Sequence, residues 1–453
     1  MSFSTNVFLY FFFPLLIIGS FLFHKKAGIY KFLVFLANIF FYIWAGPVAL
    51  CILIGMIIIV WCFIHIIQSL NNTTVKRFLF IISIVIVPLP LVFFKYNYLF
   101  TDKFSLFPLG ISFYTFQAIS LIVDCYKGKI TNEISFIDTF LYITFFVTIS
   151  AGPITRYNNF KELFINNNYS IDNVGTGIKR FIYGLGKKMI LANNIMILAN
   201  YYFDGINTGE SLSVMGLWIG SIAYSLQIYF DFSGYSDMAI GLAQIMGLTI
   251  PENFLYPYTA TSIKDFWKKW HISLSSWFKD YIYIPLGGNR VTHYRQIFNL
   301  LIVWSLTGIC HGSTVNFILW GIGYFVLIAA ENYSHGLKKL LSNTIFARIY
   351  SLFFINLLWI PFRSQTFTDL THYLSGMVGI KNSNLLPDEY TMHFLPIFIL
   401  CLFFCFPTKN IVKKINNQLV FNVLELIWLL GILFLSFCQI QSAGFLPFIY
   451  GKF

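Results

Sequence analysis

The sequence predicts an all-α polytopic membrane protein, and three observations carry that expectation. Of 453 residues, 57% are hydrophobic and only 11% are charged, where a soluble domain carries about 25% charge. Apolar runs near the roughly 20 residues that a helix needs to cross a bilayer recur along the chain, separated by short polar loops. The net charge of +12 comes as short Lys/Arg clusters beside those runs, the pattern of cytoplasmic loops and not one continuous nucleic-acid-binding stripe. The same proportions exclude intrinsic disorder, collagen-like repeats and disulfide scaffolds. A soluble chain of this length would divide into two or three domains, whereas these numbers suit one bundle facing lipid.

Residues 5–23 form the first run, closed by His24, Lys25 and Lys26. With the positive flank after it and no small-residue cleavage site, it reads as a retained span with its amino end outside. Residues 32–67 exceed one crossing and break at Gly46-Pro47, which predicts a hairpin returning to Lys76 and Arg77. Spans at 78–97 and 108–125 follow, returning Lys127 and Lys129 to the cytoplasm. Further runs cover 135–151, 181–203, 213–230, 234–248, 297–310, 313–330, 345–361, 392–406 and 421–440. The total is roughly ten to twelve crossings plus re-entrant or interfacial stretches. Acidic loops carrying Asp204, Glu210, Asp388 and Glu389 are placed outside. The topology through the middle does not close under simple parity.

The stretch from Thr261 to Arg295 breaks this pattern. It holds Lys264, Lys268, Lys269, Lys279, Arg290 and Arg295 among Trp267, Trp270, Trp277, Phe278, Tyr281 and Tyr283, with two histidines, His271 and His293. Cations mixed with aromatic rings predict an interfacial segment facing the cytoplasm, with its rings at headgroup depth. Ionisable residues inside apolar runs are costly and point to function. His311 is one, flanked by Gly308 and Gly312; it reads either as a general base kept neutral by burial or as a hydrogen-bonded core histidine at a helix kink. Asp231 and Asp237 flank Gly234, where the helix either opens to line a cavity or is capped at a mid-segment break. Gly184 and Gly186 lack a preceding strand and read as packing glycines. The seven cysteines have no paired spacing and read as reduced, packed thiols; no metal site is expected. Metalloprotease, nucleophile-elbow, Walker and dinucleotide motifs are absent from the sequence. Composition and spacing alone stop at a membrane protein with a buried catalytic or transport histidine.

Trp267-Lys-Lys-Trp-His-Ile-Ser-Leu-Ser-Ser-Trp-Phe-Lys-Asp-Tyr-Ile-Tyr-Ile-Pro-Leu-Gly-Gly-Asn-Arg290 and Leu306-Thr-Gly-Ile-Cys-His-Gly312 resemble the membrane-bound O-acyltransferase family. The Pro-Leu-Gly-Gly-Asn-Arg continuation resembles its bacterial alginate and peptidoglycan O-acetylase branch. Phe107–Gln117, Gly152–Arg156, Phe230–Gly241 and Trp359–Arg363 extend the match, so one domain over 1–453 is expected. The resemblance implies a ring of helices around a funnel or tunnel, with His311 as the catalytic histidine near its narrow point and His271 as its companion. It implies an acyl thioester donor, acetyl-CoA, as substrate with no bound cofactor, drawn to Lys264, Lys268, Lys269 and Arg290. His271, Asn316 and Asn289 are candidate oxyanion donors, and Asp231 or Asp237 a candidate partner that orients an imidazole. The acceptor would be an extracytoplasmic polysaccharide or a periplasmic or extracellular acetyltransferase subunit, and the location a bacterial cytoplasmic membrane. D-alanyl transfer to teichoic acid and a histidine-dependent transporter are the alternatives. Ser364 and the ending Phe448-Ile-Tyr-Gly-Lys-Phe453 depart from the family pattern.

Overall fold

In hydrocarbon every backbone polar group must be satisfied within the protein, which favours helices. The computed structural model describes residues 2–96, 107–206, 212–380, 385–387, 389–407, 417–443 and 448; among them there are helices and no strand. Glu210, Asp388 and the tail from Ile449 lie outside the described residues. Five helices among the described residues are long and apolar enough to cross a membrane: Pro47–Ser69, Thr73–Tyr96, Val315–Tyr333, Thr344–Arg363 and Gln418–Ser442. Phe8–Phe23, Ala27–Ile43, Ile111–Tyr126 and Leu395–Phe404 are apolar but shorter.

The chain divides into two compact units, one of residues 1–181 and 235–252, the other of 182–234 and 253–453. In the first unit, α1 (Phe8–Phe23), α2 (Ala27–Ile43) and α3 (Pro47–Ser69) follow one another. Gly46 separates α2 from α3 at φ 94°, a left-handed conformation that costs glycine little, and Pro47 opens α3. The predicted hairpin is therefore present. Cys51 and Cys62 on α3, and Cys438 on the helix Gln418–Ser442, are exposed and not packed as expected, because on an apolar helix a thiol can rest against hydrocarbon.

The expected run at 135–151 is not one helix but two pieces, Phe136–Ile143 and Phe146–Ile149. Asn38 of α2 satisfies the interruption: its amide donates to Thr144 Oγ1 at 3.0 Å and its Oδ1 accepts the Phe146 N–H at 3.1 Å. A buried polar side chain thus replaces the lost helical bonds.

The expected break at Gly234 does not occur. Helix α5 (Val214–Ile245) runs unbroken for 32 residues through both aspartates. Gly234 serves packing instead: a Cβ there would lie 2.7 Å from the carbonyl oxygen of Gly184, on α4 (Ile171–Gly186). Within the first unit Gly241 and Gly177 repeat the device, a Cβ at Gly241 lying 2.5 Å from the Gly177 carbonyl. The packing role expected of Gly184 and Gly186 holds, since Gly186 is packed by Ile432. After α4 the chain passes through a π-helical turn, Lys187–Ala192. That turn presents Lys188 to Asp231, with Nζ 2.5 Å from Oδ1 and both side chains nearly fully buried.

A methyl group at Gly234 cannot be relieved by a flexible neighbour, because it meets backbone. Gly234→Ala should destabilise the protein by about 1–3 kcal/mol, read as a lowered unfolding midpoint in detergent. An unchanged midpoint would show that α4 and α5 are not in backbone contact there.

Candidate active site

The geometry that follows belongs to the second unit. The cationic aromatic stretch is packed into the protein: Trp267, Trp270, Trp277 and Phe278 are buried among other side chains. Two short helices build it, α6 (Ile263–Lys269) and α7 (Ile272–Phe278). Helix α6 is started by the Ser262 hydroxyl, which accepts the Asp265 N–H at 2.9 Å, and by Glu331. The Glu331 carboxylate, reaching from α9 (Val315–Tyr333), accepts the N–H groups of Ile263 at 2.6 Å and Lys264 at 3.2 Å.

Between α6 and α7 stands His271, in the left-handed region at φ 43° and ψ 53°. That conformation costs a non-glycine residue about 1 kcal/mol, so it persists where surrounding bonds over-determine it. Asn253 supplies them. Its carbonyl accepts the Ile272 N–H at 3.0 Å, while its side-chain Oδ1 accepts the Ser273 N–H at 3.2 Å and the Ser273 hydroxyl at 2.9 Å. The same oxygen lies 3.1 Å from His271 Nδ1. Two residues on, the Leu255 N–H donates to the Lys269 carbonyl at 3.0 Å. The Phe232 ring packs edge-on to the imidazole at 4.6 Å.

His311 closes α8 (His293–His311). Gly308 lets α8 and α9 touch, as a Cβ there would lie 2.5 Å from the Phe317 carbonyl. Gly312 leaves room for the Phe317 ring. The His311 ring is buried, edge-on to Trp320 at 5.0 Å and to Phe362 at 5.5 Å. From Trp320 the aromatic contacts continue to Trp359 at 6.2 Å and from Trp359 to Trp270 at 4.9 Å, the residue before His271. Both histidines therefore border one aromatic cluster. Among the described residues, the buried indole N–H groups of Trp267, Trp270 and Trp320 have no hydrogen-bond acceptor.

A cavity of about 150 Å³ lies beside this cluster, walled by Trp267, Phe278 and Tyr283, with Lys279 at its edge. Helix α8 lines it with Leu300, Trp304 and Thr307. These positions follow the i, i+4, i+7 spacing of one helix face, and His311, one turn beyond Thr307, continues it.

The remaining candidates separate. Lys264 and Lys268 are exposed, and Lys264 Nζ donates to Asn332 at 2.7 Å. Lys269 pairs with Asp265 at 2.8 Å within α6 and with the Thr259 hydroxyl. Asn289 and Arg290 are exposed in the loop before α8, whereas His271 and His311 are buried. Asn316 is buried, but its amide donates to the carbonyls of Ser364 and Thr366, both at 2.9 Å, so its hydrogens are committed to tying α9 to the end of α10 (Thr344–Arg363). Ser364 thus sits in the architecture of this corner, its hydroxyl donating to the Ile360 carbonyl at 2.9 Å. Asp231 pairs with Lys188. Asp237 belongs to the other unit, where Arg180 bridges it at 2.9 Å and also binds Glu252. A side chain found on a His271 ring nitrogen is that of Asn253, which the sequence did not suggest. Sequence reasoning missed Asn253, Lys188, Trp320 and Glu331. The only signal for Lys188 was a lysine within an apolar run.

The elbow at His271 lies outside the membrane-spanning helices. Burial holds its imidazole well below the usual histidine range, and the neighbouring His311, when protonated, pushes the same way. At neutral pH the ring is uncharged.

Two buried imidazoles on one aromatic cluster, beside a cavity in a helical membrane protein, mark a membrane-embedded enzyme. Residues 129–362 match the membrane-bound O-acyltransferase family. The chain is 31% identical to a peptidoglycan O-acetyltransferase of Helicobacter pylori over 99% of this chain and 97% of that protein. It is 33% identical to a probable alginate O-acetylase of Pseudomonas syringae pv. tomato over 81% of this chain and 73% of that protein. A teichoic acid D-alanyltransferase of Bacillus subtilis is 31% identical over 50% of this chain and 59% of its own length. The chain belongs to the membrane-bound O-acyltransferase family and is an acyltransferase.

An unfolded histidine titrates near 6.5, and folded His271 titrates below that. Between those values the unfolded chain binds a proton that the folded chain refuses, so stability rises with pH and is lost as pH falls below about 6.5. His271→Gln should therefore lose less thermal stability than the parent on acidification, measured by unfolding in detergent. Equal slopes for the two proteins would place the ring in a solvated setting.

Proposed function

We propose that this protein moves an acetyl group from a cytoplasmic thioester, acetyl-CoA, to a hydroxyl of an extracytoplasmic cell-envelope polysaccharide, directly or through a periplasmic or extracellular transferase subunit. Its place is the bacterial cytoplasmic membrane. Support comes from the full-length likeness to the peptidoglycan O-acetyltransferase and from one geometric observation. The α8 face that lines the cavity ends at buried His311.

His311 is the general base. As the acceptor hydroxyl attacks the thioester carbonyl, its proton moves to the imidazole, the C–O bond forms and the C–S bond breaks. The proton then passes to the departing sulfur, giving a free thiol. The indole N–H of Trp320, buried beside His311 and without an acceptor among the described residues, is a donor for the developing oxyanion. The cavity receives the apolar part of the donor, and exposed Lys264, Lys268 and Arg290 attract its phosphates.

His311→Ala should lower acetyl transfer by at least about 100-fold while the protein remains folded. Retention of full activity would remove His311 as the base. Offering purified protein acetyl-CoA or a D-alanyl thioester separates this reading from D-alanyl transfer, and turnover of the D-alanyl donor alone would replace it. Offering free glycan without a partner subunit separates direct transfer from relay.

Lys268→Ala should raise the apparent KM for the donor more than it lowers kcat, because attraction acts on binding. Lys269→Ala should act through stability instead, since that ammonium is engaged by Asp265 and Thr259. Equal falls in kcat and kcat/KM for Lys268→Ala would assign the ammonium to the transition state.

A further inference from the structure

A neutral imidazole carries one N–H and one lone pair, and its partners decide which nitrogen holds which. At His271 the deciding partner is Asn253. Its Oδ1 accepts the backbone N–H of Ser273, a group that can only donate, and this fixes which end of the Asn253 amide occupies that position. An amide oxygen only accepts. His271 Nδ1, 3.1 Å from the same oxygen, must then supply the hydrogen between them. Asn253, His271 and Ser273 are at most 2% exposed, so bulk water does not compete for these bonds. The Asn253 carbonyl also holds the Ile272 N–H, so one residue fixes the backbone on the far side of the ring as well as the ring itself.

We infer that Asn253 is a positioning residue that locks His271 as the Nδ1–H tautomer, making Nε2 the lone-pair nitrogen. His271 then acts as a hydrogen-bond acceptor and is not the oxyanion donor that the sequence allowed. A hydroxyl-bearing acceptor, or a donor group on the neighbouring side chains, is what Nε2 can bind; a carbonyl or carboxylate oxygen is what it cannot. The functional half of this inference rests on the acetyltransfer reading. The tautomer itself does not.

The test is ¹⁵N NMR of full-length, histidine-labelled protein in detergent near neutral pH, with His271→Gln used to assign the resonances. In the parent, Nδ1 should appear as the protonated nitrogen and Nε2 as the unprotonated one. Asn253→Ala should convert His271 to a mixture of tautomers and lower kcat at least about 10-fold, as expected when an imidazole loses its orienting acceptor, with KM little changed. Asn253→Asp, which keeps an acceptor oxygen, should restore Nδ1–H and recover activity above that of Asn253→Ala. A stability role alone would lower the unfolding midpoint without moving the nitrogen shifts. A parent spectrum with hydrogen on Nε2, or an Asn253→Ala spectrum identical to the parent, overturns the inference. If Asn253→Ala does not fold, the parent spectrum still decides the tautomer. The expected spectrum without acetyl transfer would remove the acetyltransfer reading and leave the tautomer assignment standing.

Discussion

The side chain of Asn253 is the constraint on which the histidine elbow depends. One amide oxygen faces the Ser273 backbone, the Ser273 hydroxyl and the His271 ring, while the main-chain carbonyl of the same residue holds Ile272. This is what allows a non-glycine residue to sit in a left-handed conformation between two seven-residue helices. Neither helix could form alone, since isolated helices shorter than about 12 residues are marginal in water. They exist because their aromatic residues are buried and their ends are tied from outside, by Asn253 at the elbow and by Glu331 at the start.

Charge is used sparingly, and the buried lysine and aspartate of this corner are paired. Removing a lysine and an aspartate from water costs several kcal/mol per ion, and their attraction recovers this only when geometry is good. Lys188 and Asp231 meet that condition at 2.5 Å, with the lysine presented by a π-helical turn. Such turns are rare and are frequent at functional sites, where one extra residue re-aims a side chain. Phe232, the next residue after Asp231, lies against His271, so the ion pair fixes the segment that forms one wall of that ring's surroundings.

The helical class and most helix positions were legible in the sequence, because hydrocarbon length and charge placement act locally. Two elements were misread for a shared reason. Gly234 looked like a break in a long apolar run, yet it is a site of close approach, and only the facing Gly184 carbonyl distinguishes the two. The run at 135–151 looked like one span, but its interruption depends on Asn38, about a hundred positions away. The two histidines were legible through a long motif. Their partners were not: Asn253 precedes His271 by eighteen positions in sequence that gives no periodic signal, and Lys188 lies forty-three positions from Asp231. Hydrogen-bond partners are set by folding, and neither composition nor spacing encodes them.

Helix α9 carries Trp320 beside His311 and, eleven residues later, Glu331 at the start of α6. Eleven residues make three turns, about 16 Å of rise, and return to the same face. Bilayers of different thickness tilt or shift spanning helices at modest cost. When α9 tilts, the indole by one imidazole and the carboxylate anchoring the segment that bears the other move as a single lever. Because both groups ride on one helix, the surroundings of the two histidines are mechanically linked through α9.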